Sequence, residues 1–152
     1  MPLKFYEEFG AFKLFMLDVG LMGAMINAPA AAILVKDDLF TEYKGAFTEL
    51  FVCMQLQSAN IPTFYHFVEA SSIEIDFAVQ LSTKVYPVEV KAEENVKSKS
   101  LKTLIEKHSE LNAIRLSMQP HIVQERIENI PLYAFREAFM RMYLSNNVLN
   151  KN

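Results

Sequence analysis

The sequence predicts an α/β fold in which helices flank a mixed central sheet. A helical repeat of apolar residues is followed by three strand-like runs, a second helix and a further strand. The chain has 152 residues, which fits one domain with a sizeable core. Its hydrophobic share of 51% and charged share of 22% are typical of a globular protein and argue against disorder.

Composition excludes several classes of protein. The net charge of -3 excludes a globally basic nucleic-acid coat and leaves only local basic patches. A single cysteine excludes a disulfide framework and a thiolate zinc cage, and indicates a reducing compartment. Acidic residues near the N-terminus argue against a signal peptide, and the longest apolar stretch, 19–35, is too short and too interrupted to span a membrane. We therefore expect a soluble cytoplasmic protein.

The N-terminal part, residues 1–40, is expected to hold one strand and one short helix. Apolar and aromatic residues over 12–17 favour a strand. Asp18 follows this run and precedes a short helix over 21–27. Because an aspartate can accept the free N–H groups of a first helical turn, capping is the expected role of Asp18.

A longer helix is predicted over 41–58. Glu49 lies at the edge of its broad apolar face rather than on the polar side. A carboxylate in that position needs a partner, a metal or a proton, unless it reaches solvent or pairs with a lysine. The apolar repeat consists of Phe47, Leu50, Phe51 and Met54, with Val52, Cys53 and Leu56 beside it.

Three strands follow, over 63–68, 73–81 and 85–92. The last two are separated by 82–84, a length that suits a hairpin turn. Pro87 lacks a backbone donor, which predicts an edge-like or irregular start for the third strand. The second strand alternates cleanly, with one predicted face formed by Ile73, Ile75, Phe77, Val79 and Leu81.

The C-terminal half begins with a helix starting near Ser98 or Ser100. The apolar stripe of this helix ends at His108. A histidine in such a position is more often a packed, hydrogen-bonded side chain than a ligand. We then expect a strand over 113–118, a strand over 130–133 and a helix over 135–144, while 120–129 remains ambiguous.

Four polar residues are expected to converge at one end of the sheet. Glu89 and Lys91 are two residues apart on a strand, so they project from the same face. Asp76 lies on the neighbouring strand and Glu49 on the preceding helix. Three gathered carboxylates repel unless some are protonated or a cation holds them together.

Oxygen ligands without thiolates favour Mg²⁺ or Mn²⁺. Such a metal polarises a phosphoryl oxygen and activates water, and the neighbouring lysine can stabilise charge that develops on phosphate. The set therefore predicts a phosphodiesterase site of the endonuclease type. The alternative is a structural ion-pair network in which Lys91 balances Glu89.

The order of elements, together with Asp76 and the Glu89-Val90-Lys91 motif, resembles the PD-(D/E)xK nuclease superfamily. A closer resemblance is to the uncharacterised C-terminal domain of prokaryotic AAA+-type ATPases. It covers nearly the whole chain and is carried by the segments 12–21, 44–49, 74–77, 86–92, 97–101 and 130–133.

This resemblance implies a restriction-endonuclease-like αβββαβ core over 41–118. The resemblance then implies that Asp76 and Glu89 are metal ligands. It also implies that Lys91 corresponds to the lysine of the superfamily's site and Glu49 to the acidic residue on its first helix. Ile75 stands where the superfamily signature has proline. The chain carries no phosphate-binding G-x-x-x-x-G-K-[ST] motif, so we expect a single nuclease-like domain over 1–152, with 119–152 as a C-terminal strand and helix and no ATPase domain.

Basic residues around the second helix suggest a phosphate-binding patch formed by Lys97, Lys99, Lys102 and Arg115. A solvated helix face explains the helical lysines equally well. Two functions remain open at this point. One is a metal-dependent nuclease-like domain that acts on or binds DNA, and the other is a catalytically inactive module that binds nucleic acid or protein. The expected partners are DNA, an ATPase domain or chain, and a second copy of the protein.

Overall fold

The structure is a computed structural model that describes residues 2–28, 38–68, 73–92 and 98–149. Among these residues the strands are β1 (Thr63–Val68), β2 (Ile73–Leu81), β3 (Lys84–Val90), β4 (Ala113–Ser117), β5 (Ile122–Gln124) and β6 (Ile127–Pro131). The helices are α1 (Val19–Met25), α2 (Asp38–Ser58), α3 (Lys99–Lys107) and α4 (Phe135–Leu149), and a 3-10 turn spans Leu3–Tyr6.

The strands form one six-stranded mixed sheet in the order β1-β2-β3-β4-β6-β5. β1, β2 and β3 pair antiparallel, whereas β3, β4 and β6 are parallel and β5 pairs antiparallel with β6. A parallel pair needs a crossover connection, and α3 lies between β3 and β4 in the chain. The predicted order of helix, three strands, helix and strand is confirmed, as is the mixed α/β class.

Two hydrophobic clusters flank the sheet. The larger one joins α2 and α4 to the sheet, with Val52, Leu56, Phe135 and Phe139 as its most buried helical side chains. The smaller one packs α3 against β2, β4 and β6. Its helical members are Leu101, Leu104 and Ile105, which is the stripe that the sequence predicts. The sheet is therefore covered by helices from both clusters.

A β-bulge in β2 divides its apolar residues between the two clusters. The pairing with β1 runs from Thr63↔Val79 to Phe64↔Ala78 and resumes at His66↔Ile75, so two residues of β2 oppose Tyr65 alone. Ile73 and Ile75 belong to the α3 cluster, but Phe77, Val79 and Leu81 belong to the α2 cluster. The predicted single apolar face of this strand is therefore wrong, because an extra residue reverses the alternation.

The bulge consists of Asp76 and Phe77. Because it reverses the alternation, Glu74 and Asp76 share the face of the sheet that Phe77 also lines. That face is covered by α2, the helix that carries Glu49. Bulges commonly re-aim a side chain next to a functional site. Here the bulge places a carboxylate beside an otherwise apolar helix–sheet interface.

The hairpin between β2 and β3 is formed as predicted. Its turn contains Ser82, whose φ of 59° lies in the left-handed region. β3 is an interior strand rather than an edge, but Pro87 pairs only with β2, and the pairing with β4 begins one residue later at Val88↔Ile114. The missing N–H of proline is tolerated because β4 is not yet paired with β3 at that position.

The N-terminal part differs most from the expected structure. Residues 11–17 form neither helix nor strand, so the predicted strand over 12–17 is wrong. The short helix is present as α1, and Asp18 Oδ1 accepts a hydrogen bond of 2.8 Å from the Leu21 N–H, which confirms the cap.

At the other end, the ambiguous stretch 120–129 contains β5. The last strand, Ile127–Pro131, starts three residues and ends two residues earlier than predicted. The final helix is longer than the predicted 135–144. No helix within the described residues is long and apolar enough to cross a membrane.

Candidate active site

The candidate site lies where β2 and β3 separate. Their backbone pairing runs from Leu81↔Lys84 to Phe77↔Val88. Beyond this last pair, Asp76 Oδ2 accepts a hydrogen bond of 2.7 Å from the Val90 N–H. β3 meanwhile continues along β4 to Val90↔Leu116. The Asp76 carboxylate thus replaces a backbone acceptor at the fork between the two strands, which fixes its position.

Burial dominates the electrostatics of Asp76. Its side chain is 17% exposed, and burial raises its pKa from 3.8 to about 6. The hydrogen bond from Val90 and the charge of Lys13 oppose this rise, while the charges of Glu49 and Glu89 add to it. Glu49 and Glu89 are therefore each close enough for their charges to act on Asp76. Val88 and Val90 belong to the α2 cluster, so Glu89 between them projects to the other face of the sheet, and the expected convergence on one face is only partly met.

Glu49 reaches the site because of its place on α2. It lies one turn before Val52 and two turns before Leu56, both of which are buried against the sheet. Its side chain is 29% exposed and points to the same side as theirs. The sequence pattern that placed Glu49 at the edge of the apolar face is therefore reflected in the structure.

The ammonium group of Lys13 lies among three carboxylates. Its Nζ is 3.2 Å from Glu49 Oε2, 2.9 Å from Glu74 Oε1 and 3.9 Å from Asp76 Oδ1. Burial acts to lower the pKa of Lys13, but the hydrogen bonds and charges of these acids outweigh it, so the pKa is raised. Lys13 is therefore the cation around which this acidic cluster is arranged.

Packing of the N-terminal segment holds Lys13 in place. Two residues after Lys13, the Phe15 ring stacks on Phe77 with 5.8 Å between centroids and 21° between planes. A cavity of about 200 Å³ lies beside the Lys13–Glu49 pair, and Phe15, Met22 and Leu50 contribute to its lining. The irregular segment is thus anchored by apolar contacts that follow the lysine.

Glu89 and Lys91 form a second ion pair, as their two-residue spacing predicts. Lys91 Nζ is 2.6 Å from Glu89 Oε1, and the Glu89 side chain is only 9% exposed. The other oxygen, Glu89 Oε2, is buried without a hydrogen-bond partner among the described residues. Buried polar atoms are rarely left unsatisfied, so this oxygen marks a place where a ligand would be stabilised.

Arg115 does not belong to an exposed basic patch, which corrects the sequence-based expectation. The residue is 3% exposed, and its Nε donates to Asn129 Oδ1 at 3.0 Å. All five residues of β4 are buried, so both faces of this strand are covered by protein. Lys99 and Lys102 do lie exposed on α3, and Lys97 falls outside the described residues.

Two members of the cluster were not among the predicted site residues. Glu74 carried a usable signal, because it is two residues from Asp76 on one strand and therefore shares its face. Lys13 carried none. It lies 36 residues before Glu49, and its segment has no regular structure from which a direction could be predicted.

The fit of a divalent metal can be judged from these groups. Their chemistry suits Mg²⁺ or Mn²⁺, because carboxylate oxygens are the ligands that hard cations prefer and Glu89 Oε2 lacks a partner. In the arrangement seen here, however, no three histidine, cysteine or acidic side chains among the described residues are grouped so that they could hold a metal ion. The chemistry of these carboxylates fits a hard cation, but their arrangement around Lys13 does not form a metal-binding group.

Comparison with known proteins identifies the family of the chain. A sequence profile of a domain of unknown function, DUF4143, matches residues 44–138. The matched range includes Glu49, Asp76, Glu89 and Lys91, while Lys13 precedes it. No curated protein and no solved structure matches the chain.

Proposed function

The chain belongs to the DUF4143 family, and from this premise we propose that it is a nuclease-like domain that acts on or binds DNA with the help of Mg²⁺ or Mn²⁺. The observation that carries the proposal is the fork between β2 and β3. There Asp76 is held by the Val90 N–H, the charges of Glu49 and Glu89 act on it, and Glu89 is paired with Lys91.

The order of elements supports a restriction-endonuclease-like core. The segment from α2 through β1, β2 and β3 to α3 and β4 follows the order αβββαβ. The acids lie on the first helix, on β2 and on β3 of that segment. This agreement of topology and residue placement is more specific than either feature alone, since a charged strand face by itself has many causes.

The residues divide the chemistry among them. Asp76 and Glu89 would hold the cation, with Glu49 as a further acid. When bound, Mg²⁺ or Mn²⁺ supplies the positive charge that polarises a phosphoryl oxygen. Lys91 stands on the same side of the fork as Glu89, where its ammonium would stabilise negative charge developing on a phosphate. Lys99 and Lys102 on the surface of α3 would contact the DNA backbone.

A second candidate function is a catalytically inactive nuclease-fold module that binds nucleic acid or protein. Lys13 favours it, because an ammonium group already neutralises part of the acidic cluster. Large exposed apolar side chains near the N-terminus also favour it, since such surfaces are typical of protein interfaces. These side chains are Phe5, Tyr6, Phe9, Phe12, Leu14 and Leu17. An ATPase domain or chain is the partner that we propose for them.

A cleavage assay separates the two functions. We expect the wild type to cut end-labelled single-stranded or double-stranded DNA in the presence of Mn²⁺, and Asp76→Asn to lose at least about a hundredfold in rate. Lys84→Gln is the control, because Lys84 is exposed at the far end of β3, roughly 17–20 Å from the fork. If the wild type and Asp76→Asn bind DNA equally and neither cuts it, the inactive module is the better description.

A further inference from the structure

We infer that Arg115 is a positioning residue that supplies Glu89 with a second counter-charge and so leaves the Lys91 ammonium able to turn from Glu89 to a DNA phosphate. The inference rests on the proposed function and concerns the face of the sheet that α3 covers. Arg115 is itself 3% exposed, so it acts on DNA through Lys91 rather than by direct contact.

Strand pairing places Glu89 and Arg115 side by side. β3 and β4 run parallel, and Glu89 is the register partner of Arg115. The residues before and after each of them belong to the α2 cluster, so both polar side chains project to the face that α3 covers. These flanking residues are Val88, Val90, Ile114 and Leu116. Because neighbouring strands lie about 4.8 Å apart, the two opposite charges are close neighbours inside the protein.

The electrostatic interaction between Glu89 and Arg115 does not depend on Lys91. Burial lowers the pKa of Arg115, and the charge of Glu89 opposes that fall. An arginine guanidinium stays protonated in proteins, so a positive charge remains beside the Glu89 carboxylate when the Lys91 ammonium moves away. A buried carboxylate that keeps one counter-charge costs less than one that loses its only counter-charge.

Hydrogen bonds from β5 and β6 hold the guanidinium of Arg115 in place. Its Nε donates to Asn129 Oδ1 at 3.0 Å, and its Nη2 donates to Gln124 Oε1 at 3.3 Å. Asn129 in turn accepts a hydrogen bond of 2.7 Å from Ser117 Oγ and donates to two backbone carbonyls of the loop after β4. The guanidinium is therefore a fixed charge.

Lys91 is the member of this group that can move. Its N–H donates to the Leu116 carbonyl at 2.8 Å, so its backbone is fixed to β4, while its flexible four-carbon side chain is 31% exposed. Lys99 and Lys102 are exposed on α3, the helix that covers the same face of the sheet. A phosphate of DNA bound along α3 would therefore approach Lys91 from the side to which its side chain projects.

The salt dependence of DNA affinity tests the inference. Fluorescence anisotropy of a labelled DNA duplex is measured in EDTA, which prevents cleavage. A lysine that neutralises one phosphate contributes about 0.9 to the slope of log K against log[salt]. We expect Lys91→Met and Arg115→Gln each to lower this slope by about 0.9 and the affinity by about threefold to fivefold. Combining them should cause no further loss, because without Arg115 the ammonium stays on Glu89.

Four variants separate this effect from a loss of stability. Arg115→Lys keeps the positive charge and should keep the wild-type slope. Arg115→Gln/Glu89→Gln also removes the carboxylate that holds Lys91, so it should recover that slope. Ile105→Val truncates the α3 core without changing a charge, and it should bind as the wild type does. Arg115→Met provides a second neutral variant if Arg115→Gln folds poorly.

The outcomes distinguish this inference from the proposed function. If Lys91→Met lowers the slope equally in the wild type and in the neutral Arg115 variants, the inference is overturned but DNA binding stands. A wild-type slope in the neutral Arg115 variants, or in Lys91→Met alone, would overturn it as well. Absence of DNA binding by the wild type in EDTA would overturn the inference, and its absence with Mn²⁺ also would overturn the proposed function.

Discussion

Lys91→Met is expected to lower the free energy of unfolding by about 2–3 kcal/mol. The substitution leaves the Glu89 carboxylate, whose side chain is 9% exposed, without the ammonium that lies 2.6 Å away. Removing one partner of a buried ion pair costs more than the pair itself contributes, because the other charge stays in the interior. The buried Arg115, whose charge interacts with Glu89 from the adjacent strand, compensates part of that charge. Lys91 is 31% exposed, so we expect a loss below the roughly 3–5 kcal/mol typical of fully buried pairs. Urea unfolding of the two proteins measures the difference.

A double-mutant cycle shows whether the loss comes from the stranded charge. Glu89→Gln removes that charge, and the Glu89→Gln/Lys91→Met protein should recover most of the stability lost in Lys91→Met. If Lys91→Met alone changes the free energy of unfolding by less than about 0.5 kcal/mol, the Glu89–Lys91 pair behaves as an ordinary surface pair. That result would contradict the burial of the Glu89 side chain on which this prediction depends.

Asp76→Asn is expected to stabilise the protein above neutral pH by about 3 kcal/mol. Burial raises the pKa of Asp76 from 3.8 to about 6, so the folded protein holds a proton that the unfolded chain has already released. The stabilising contribution of the protonated carboxyl is therefore complete below about pH 4 and is lost as the pH rises through about 6. Asparagine avoids this loss, and its side-chain oxygen can still accept the Val90 N–H.

The pH dependence makes this prediction specific to Asp76. Unfolding by urea at pH 4, 6 and 8 should show Asp76→Asn close to the wild type at pH 4 and increasingly more stable toward pH 8. A difference that grows toward acid pH would contradict the raised pKa, because it would mean that the ionised carboxylate stabilises the fold. Gains of this kind are common where a functional site carries strain that the fold does not need.

Local periodicity was sufficient to predict most of the elements. The repeat of apolar residues in α2 and α3 and the composition of β1 and β2 depend only on neighbours in the chain, and these elements were located within three residues. The segment 12–17 was assigned wrongly because its apolar pattern resembles that of a strand. A strand also needs a paired neighbour, and within the described residues this segment packs side chains such as Phe15 against Phe77 instead.

The bulge in β2 could not be predicted from the alternation of its residues. Ile73, Ile75 and Phe77 have the same spacing in the sequence, but the register shift opposite Tyr65 places them on different faces. A one-residue shift leaves composition and spacing unchanged while it reverses every side chain beyond it. The sequence therefore predicted the apolar character of the strand but not which helix each residue meets.

The candidate site was predictable where it depends on regular elements. Glu49 was placed by the helical repeat of α2, and Glu89 and Lys91 by their spacing along β3. Lys13 was not predictable, because it reaches the cluster from an irregular segment through tertiary packing. The Asp76 hydrogen bond to Val90 also depends on the exact point at which β2 and β3 separate.

The most direct test of the site is a crystal structure of the protein grown with MnCl₂, with anomalous diffraction data collected to locate manganese. Our account predicts one strong anomalous peak at the fork between β2 and β3, with carboxylate oxygens of Asp76 and Glu89 about 2 Å from the ion. Absence of a peak at the fork, with Glu49, Asp76 and Glu89 ordered in the density, would contradict it.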